Sequence, residues 1–395
     1  MNNNLAPSES APETPVSNRA APRHGPEAPA AVTAGLLPPE SVRRILVCQL
    51  RQIGDVLLST PSVELLARQY PQAEIHFFTE KKCLPMLQGN PHIHTIWAVD
   101  KKAMPSLLHE LSFYRRVTAG GFDLVVDFQK LPRCRWVVAM SGAKVRLAES
   151  PPWYTRWLYT HWNQPRASYS ASFKAQVLHP LGIAWQGETP RLYLSAQELE
   201  EGRALLQSLG LEEALRDGRA PAERPLRLIT VDATHRHETR QWPAAYYAAL
   251  MDGLYEADPG LRFLLPYGPG EEKLVRAIKD AGKHPDCVIV PENLISLRHM
   301  AACMAHAALH LGNCSAPRHM AVAMGVPTFT FLGSTSTGWT FPSPEHTHIR
   351  AADLMDMPCQ PCNKNKCSIG CKCLYEVTPE RALPAVLEHL EKYGL

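Results

Sequence analysis

An α/β fold of two doubly wound parallel sheets is predicted by three observations. Short apolar runs of strand length alternate with amphipathic segments of helical period through most of the chain. The alternation occurs in two sets, separated by a polar, Pro-containing stretch. At 395 residues, the chain is long enough for two separate cores.

Residues 1–39 are rich in Pro, Ala, Ser and Glu and carry almost no large apolar residue, so they are expected to stay outside the fold as a disordered tail. The first set then opens with Arg43–Pro61, RRILVCQLRQIGDVLLSTP. Ile45–Leu50 reads as a strand buried on both faces, and a helical pattern runs from Asp55 to about Tyr70. The loop between them, Arg51–Gly54, lies at the carboxyl end of a parallel strand, the edge at which open α/β sheets bind ligands. Asp55 is placed either to cap the helix or to do chemistry in the crevice.

Strands follow at Ala73–Glu80, His92–Val99, Phe122–Gln129 and Lys144–Ala148, with helical segments Cys83–Gln88, Pro105–Ala119 and Pro132–Gly142 between them. Pro151–Pro165, PPWYTRWLYTHWNQP, interrupts the pattern. From Arg133 to Arg166 the bases Arg133, Arg135, Lys144, Arg146, Arg156 and Arg166 face one acid, Glu149. Such a stretch is either a solvated surface with packed aromatics or a site for an anionic, partly apolar acceptor.

Ser195–Leu209 is a connecting helix, and ALRDGRAPAERP at 214–225 is the hinge. The second set comprises strands Leu226–Ala233, Leu261–Gly268, Cys287–Glu292, Leu309–Asn313 and Val326–Gly333, alternating with helices Pro243–Glu256, Glu271–Ala281, Ser296–Ala308 and Ala316–Met324. The expected division is 40–190 for the first domain, 191–225 for the connector, 226–357 for the second domain and 358–395 for a Cys-rich segment with a final helix. A cleft between the two halves is a natural ligand site. Neither half carries a GxGxxG fingerprint or a P-loop, which argues against a dinucleotide dehydrogenase or an ordinary nucleotide triphosphatase. At Gly312–His319 a strand end turns into a helix whose first amides can hold phosphate oxygens.

The net charge of +3 and the lack of a basic stripe argue against nucleic acid as a partner. No apolar run is long enough to span a bilayer, and the first residues do not resemble a secretory signal, so a cytoplasmic protein is expected. Eleven cysteines in such a chain read as reduced thiols or metal ligands. Five of them, Cys359, Cys362, Cys367, Cys371 and Cys373, are spaced so that four could hold a structural zinc ion or an iron–sulfur cluster.

Four stretches together resemble glycosyltransferase family 9, the ADP-heptose:lipopolysaccharide heptosyltransferases: RQIGDVLLSTP, DATHRHETRQWP, the YGPGEE turn and GNCSAPRHMAVAMGVPTFTFLGST. The Cys-rich tail with TPERALPAVLEHL is similar to that of many members. The resemblance implies a GT-B fold with acceptor on the N-terminal half and sugar nucleotide on the C-terminal half. It implies inverting transfer of heptose, or a related sugar, from an ADP-sugar to a lipopolysaccharide core, with no cofactor in catalysis and peripheral contact with the inner membrane.

Asp55 matches the family's general base. Thr234, Arg240, Glu272, Asn313, Cys314, Ser315, Ala316 and His319 match donor-binding positions, and Arg133, Arg135 and Arg156 are candidates for the acceptor. Trp242 is expected to pack and fix its loop. Where many members have Asn-Asp-Ser-Gly-Pro, this chain has Asn313-Cys314-Ser315-Ala316-Pro317. A thiol accepts hydrogen bonds poorly beside a carboxylate, so a second reading is a non-catalytic sugar-nucleotide-binding module with a drifted donor site.

Overall fold

The computed structural model describes residues 36–212 and 227–394. The expected hinge at 214–225 therefore lies outside the described residues, as does most of the expected N-terminal tail. Leu36, at the end of that tail, already donates its amide to the Pro180 carbonyl at 3.2 Å.

The first half runs β1 (Arg44–Cys48), α1 (Ile53–Leu57), α2 (Thr60–Gln69), β2 (Glu74–Glu80), β3 (Thr95–Val99), α3 (Leu107–Thr118), β4 (Leu124–Asp127), α4 (Pro132–Met140), β5 (Val145–Glu149), β6 (His161–Asn163) and α5 (Ser170–Gln176). A connecting helix, α6 (Ala196–Ser208), leads to the second half: β7 (Arg227–Asp232), α7 (Ala244–Ala257), β8 (Leu261–Leu264), α8 (Glu272–Ala281), β9 (Val288–Ile289), α9 (Leu297–Met304), β10 (Leu309–Asn313), α10 (Ala316–Ala323), β11 (Thr328–Leu332) and β12 (His346–Arg350). A C-terminal helix, Pro379–Tyr393, follows the Cys-rich segment.

Each sheet has six parallel strands, ordered β3-β2-β1-β4-β5-β6 and β12-β11-β10-β7-β8-β9. The second order is the first one repeated, strand for strand. Each sheet therefore has one switch point, between β1 and β4 in the first and between β7 and β10 in the second, and loops diverge there to leave a crevice. The α/β class, with two parallel sheets of the GT-B kind, is as the sequence predicts. Two edge strands, β6 and β12, are additional to the predicted set.

The helix predicted from Asp55 to Tyr70 is two helices. Pro61 has no amide to give to the Leu57 carbonyl, and its ring would crowd that carbonyl, so the backbone turns at Leu58–Ser59. Ser59 and Thr60 donate their hydroxyls to Val56 and Leu57 carbonyls at 2.6 and 2.8 Å, covering the exposed end of α1. The break is what lets α1 be a short element aimed on its own at the crevice.

One apolar cluster crosses between the halves, joining Val47, Leu66 and Phe77 through Leu206 of α6 to Met300, Met304 and Met320. α6 and α9 pack closely, because a Cβ on Gly202 would stand 2.9 Å from the backbone of Ala302. Arg298 of α9 is the polar clasp over this seam. Its guanidinium donates to the Pro85 carbonyl at 2.8 Å, to the Tyr193 carbonyl at 2.7 Å and to Glu198 at 2.7 Å. That contact holds the Glu198 carboxyl down to about 2, from the ordinary 4.5.

Replacing Arg298 by Ala removes the clasp and takes its donors from the carbonyls of Pro85, Gln88 and Tyr193, while Glu198 keeps only Ser195 among the described residues. We expect a loss of about 2 kcal/mol in thermal or urea unfolding. Because the Glu198 carboxyl is depressed on folding, its contribution is complete above pH 4.5 and fades as pH falls through about 2. Arg298→Ala should flatten the stability curve in that window; an unchanged curve would remove the clasp from the account.

Candidate active site

At the first switch point, the chain leaving β1 is tied to the chain leaving β4. Gln129 accepts the amides of Leu50 and Arg51 at 3.0 and 3.1 Å. Gln49, wholly buried, donates to the Arg51 carbonyl at 2.8 Å. The loop so fixed opens α1, with Gln52 as its N-cap.

The Asp55 carboxylate divides its two oxygens. Oδ2 faces the Gln52 amide at 3.4 Å, which is the capping role. Oδ1 faces Lys174 Nζ at 3.6 Å, and the side chain keeps 27 % of its surface exposed. Lys174, from α5, is buried; it also donates to Gln49 at 2.9 Å and lies 5.7 Å from the centre of the Phe128 ring. Burial pushes the Lys174 ammonium below its ordinary value of 10.5, against the pull of the Asp55 carboxylate. Asp55 thus serves the helix with one oxygen and presents the other, beside a cation, to the crevice.

At the second switch point, the ends of β7 and β10 carry a polar cluster. Ser315 Oγ donates to Asp232. Thr234 Oγ1 donates to Glu271 at 2.7 Å, and Glu271 also accepts the Gly268 amide at 2.8 Å. Burial raises the Asp232 carboxyl to about 7, Ser315 opposing and Glu271 adding to the effect. The Ser315 hydroxyl is therefore engaged with Asp232 and does not cap α10, leaving the amides at the start of that helix toward the crevice.

The two switch points meet. A Cβ on Gly54 would stand 3.0 Å from His319 Cδ2 and 3.5 Å from Ala316 Cα. The first turn of α1 thus lies against the first turn of α10, next to the amides that follow Ser315. A carboxylate flanked by a cation, on a turn that meets the start of α10, can take a proton from one group while the helix start meets negative charge growing on another.

The family model of glycosyltransferase family 9 (heptosyltransferase) matches residues 110–373. The chain belongs to this family. It is a glycosyltransferase, as the four motif stretches predict. Lipopolysaccharide heptosyltransferase 3 of Escherichia coli is 23 % identical over 315 residues, covering 77 % of this chain and 88 % of that protein. Among solved structures, a family 9 glycosyltransferase from Veillonella parvula aligns with a TM-score of 0.75 at 20 % identity, covering 91 % of this chain and 100 % of that one. The E. coli ADP-heptose lps heptosyltransferase II aligns with a TM-score of 0.67 at 17 % identity, covering 88 % and 99 %.

In this glycosyltransferase the residues singled out from sequence are placed unequally. Ala316 and His319 lie against the turn that carries Asp55, while Thr234 and Ser315 belong to the polar cluster with Glu271 and Asp232. Arg240 donates to Asn365 at 3.3 Å, and its buried Nε has no partner among the described residues. The acid brought to Thr234 is Glu271; Glu272 is exposed on α8 and pairs with Arg276 at 2.9 Å, because one residue along a helix turns the side chain to another face.

Asn313 is wholly buried and works through the backbone, accepting the Trp242 amide at 2.8 Å and donating to the Asp232 and Thr234 carbonyls at 3.3 Å. Trp242 is buried, stacked on Phe331 with centroids 4.0 Å apart, and packs as expected. Cys314 is buried, and its sulfur accepts from Arg318 at 3.4 Å. His319 is buried and kept neutral, burial and then Arg318 pushing it well below its usual range.

Arg133 is tied to Glu110, its Nε at 3.2 Å from the carboxylate. Arg135 lies 5.8 Å from the Tyr154 ring centre and Arg156 5.1 Å from that of Trp162. The last two form part of an exposed aromatic ridge in which Trp153 and Trp157 keep 82 % and 74 % of their surface.

The five clustered cysteines are gathered in one place: Cys359, Cys362 and Cys367 all raise the Cys373 thiol, after burial, and Cys367 Sγ accepts the Cys371 amide at 3.2 Å. Among the described residues, no three of their thiols lie within 4.8 Å of one another, the one such group of potential ligands being Glu74, His76 and His94. That trio is poorly suited to a metal. His76 Nδ1 accepts the Trp97 indole N–H at 3.1 Å, so in the neutral ring Nε2 carries the proton, and it faces Glu74 at 3.6 Å. The Cys-rich segment is instead hydrogen-bonded to the Arg240 loop: Thr239 donates to the Lys364 carbonyl at 2.7 Å and the Asn363 amide to the Ser334 carbonyl at 2.8 Å.

Gln49, Gln129, Lys174, Glu271 and Arg318 were not singled out from sequence. Lys174 and Arg318 had a signal: each is a lone cation in an otherwise small and apolar helical segment, SASFKAQV and APRHMAVA. At the contact of the two switch points, Gly54→Val should push α1 from α10. The expected result is a loss of about 1–3 kcal/mol in stability with turnover reduced more than donor binding, measured by urea unfolding and by calorimetry.

Proposed function

We propose that this enzyme transfers heptose, or a closely related sugar, from an ADP-sugar to a lipopolysaccharide core acceptor with inversion at the anomeric carbon. The observation that carries the reading is the contact of α1 with α10, which brings the turn that holds Asp55 against the turn that follows Ser315. The names of the relatives supply the substrate classes. In this reading residues 40–190 bind acceptor and 226–357 bind donor, joined by 191–225.

Asp55 Oδ1 takes the proton of the acceptor hydroxyl as that oxygen bonds to the anomeric carbon. The bond from that carbon to the phosphate oxygen breaks on the opposite face, and the nucleoside diphosphate leaves. Arg240 and the amides of Ser315 and Ala316 meet the growing phosphate charge. Thr234 and Glu271 hold the loop and offer polar atoms to the nucleotide. Lys174 fixes the direction of Oδ1.

Asp55→Asn is expected to lower kcat by about a thousandfold, with donor affinity within about twofold in calorimetry. Retained turnover would end the assignment. Lys174→Met should cost about a hundredfold in kcat through misdirection of the base. Because burial lowers the Lys174 ammonium, its charge is lost as pH rises through a value below 10.5. Turnover should fall there in the wild type and hold in Lys174→Arg.

The acceptor is a lipid, and we place the protein on the cytoplasmic face of the inner membrane by peripheral contact. No helix among the described residues is long and apolar enough to cross a membrane. The ridge of Trp153, Tyr154 and Trp157 with Arg135 and Arg156 has the composition of a membrane-interface anchor. In sedimentation with anionic vesicles, the double change Trp153→Ala with Trp157→Ala should weaken binding by about tenfold or more. Equal binding would reassign the ridge.

A further inference from the structure

Arg318 is the largest charged side chain wholly inside the molecule, with 1 % of its surface exposed. It sits in the first turn of α10, three residues after Ser315. Nη2 donates to the Trp339 carbonyl and to Cys314 Sγ at 3.4 Å, and neither is a carboxylate. Nε and Nη1 are buried without a partner among the described residues. A guanidinium taken out of water normally has its charge paired and its donors met.

Among the described residues no carboxylate is hydrogen-bonded to Arg318. His310, His319, His346 and His348 all feel the Arg318 charge, and burial first, with that charge helping, lowers each of them. Glu345 and Asp353 are the carboxylates acting on this group, and they act on His346 and His348 respectively, opposing the shift. From the other half, Tyr169 brings its hydroxyl to the same region. That hydroxyl is buried and unpartnered; burial raises it and the Arg318 charge lowers it. The Tyr169 ring meets Phe341 edge-on at 5.3 Å, and a Cβ on Gly338 would stand 2.9 Å from the Ser168 carbonyl, so the two halves close on each other here.

We propose that Arg318 and Tyr169 form an oxyanion-binding subsite of the donor crevice, which takes a phosphate or carboxylate oxygen of the sugar nucleotide. The proposal rests on the reading of the β10–α10 turn as the donor site. A guanidinium with two free N–H groups and a phenol from the facing half suit a planar or tetrahedral oxyanion. The oxygen belongs either to the diphosphate or to an acidic group on the sugar. Cys314 gives the subsite its charge preference: with a thiol at that position the guanidinium has no carboxylate neighbour on its own turn, and an incoming anion meets an unneutralised cation.

The test uses the full chain with calorimetry and thermal unfolding, comparing wild type, Arg318→Met, Arg318→Lys and Arg240→Ala. Probes are inorganic phosphate, ADP, ADP-heptose and UDP-glucuronate. Arg318→Met exchanges an unpaired buried cation for an apolar chain of similar reach, so without ligand it should melt higher than wild type. It should bind the relevant probe at least about tenfold more weakly.

Weakened ADP binding places the diphosphate at Arg318. Weakening confined to UDP-glucuronate places an acidic sugar there. If Arg318→Met melts lower than wild type and binds every probe equally, Arg318 is a structural residue and the subsite is refuted. Should Arg240→Ala lose ADP in that case, the donor-site reading stands without it. If no probe binds the wild type, the donor-site reading and the subsite fall together. Tyr169→Phe supplies a second measure that keeps the fold: it should weaken the same probe as Arg318→Met, and no effect would remove the phenol from the subsite.

Discussion

The contact between Gly54 and the first turn of α10 is the constraint on which the rest of this molecule depends. Two sheets of identical strand order each open a crevice at their switch point. In the proposed reaction the first supplies the carboxylate with its directing cation, and the second supplies helix amides and the loop of Arg240. With no side chain at residue 54 the two helix starts meet closely, and a Cβ there would stand 3.0 Å from His319 Cδ2. The clasp at Arg298 and the shared apolar cluster around Leu206 and Met304 hold the halves in that relation from the far side of the seam.

Charge placement in the crevice runs against stability. Lys174, Asp232 and Arg318 are all buried ionisable groups, and none has the fully paired surroundings that a structural ion pair would have. Asp232 is so far from its comfort in water that its carboxyl titrates near 7. Domains of this kind are only marginally stable, so tolerating three such groups in one place is a concession made where chemistry happens. Asn313 beside them is fully engaged, its amide group meeting three backbone partners.

Much of the fold could be read from the chain because its central strands are buried on both faces and so appear as plain apolar runs. Ile45–Leu50 and Leu309–Asn313 are of this type. Edge strands escape that logic. His161–Asn163 is three residues long inside an aromatic stretch, and His346–Arg350 is mostly polar, so neither differs from loop in pattern. Asp55, Thr234 and Ser315 were legible because each follows a strand end at a motif. Glu271 was missed in favour of its neighbour because a one-residue choice at a helix start depends on the turn before it, here closed by the Gly268 amide. Lys174 could be found only by asking why a cation interrupts a run of small residues, since its partner lies more than a hundred positions away.

The Cys-rich segment, whatever its thiols do, is fastened to the Arg240 loop through Thr239, Ser334 and Asn365. Loops that bind phosphate are commonly slack until the ligand arrives, and the ordering entropy then subtracts from affinity. Here that entropy is lost when the chain folds. The segment therefore acts as a splint on that loop, and in the proposed reading a nucleotide encounters a surface already in shape.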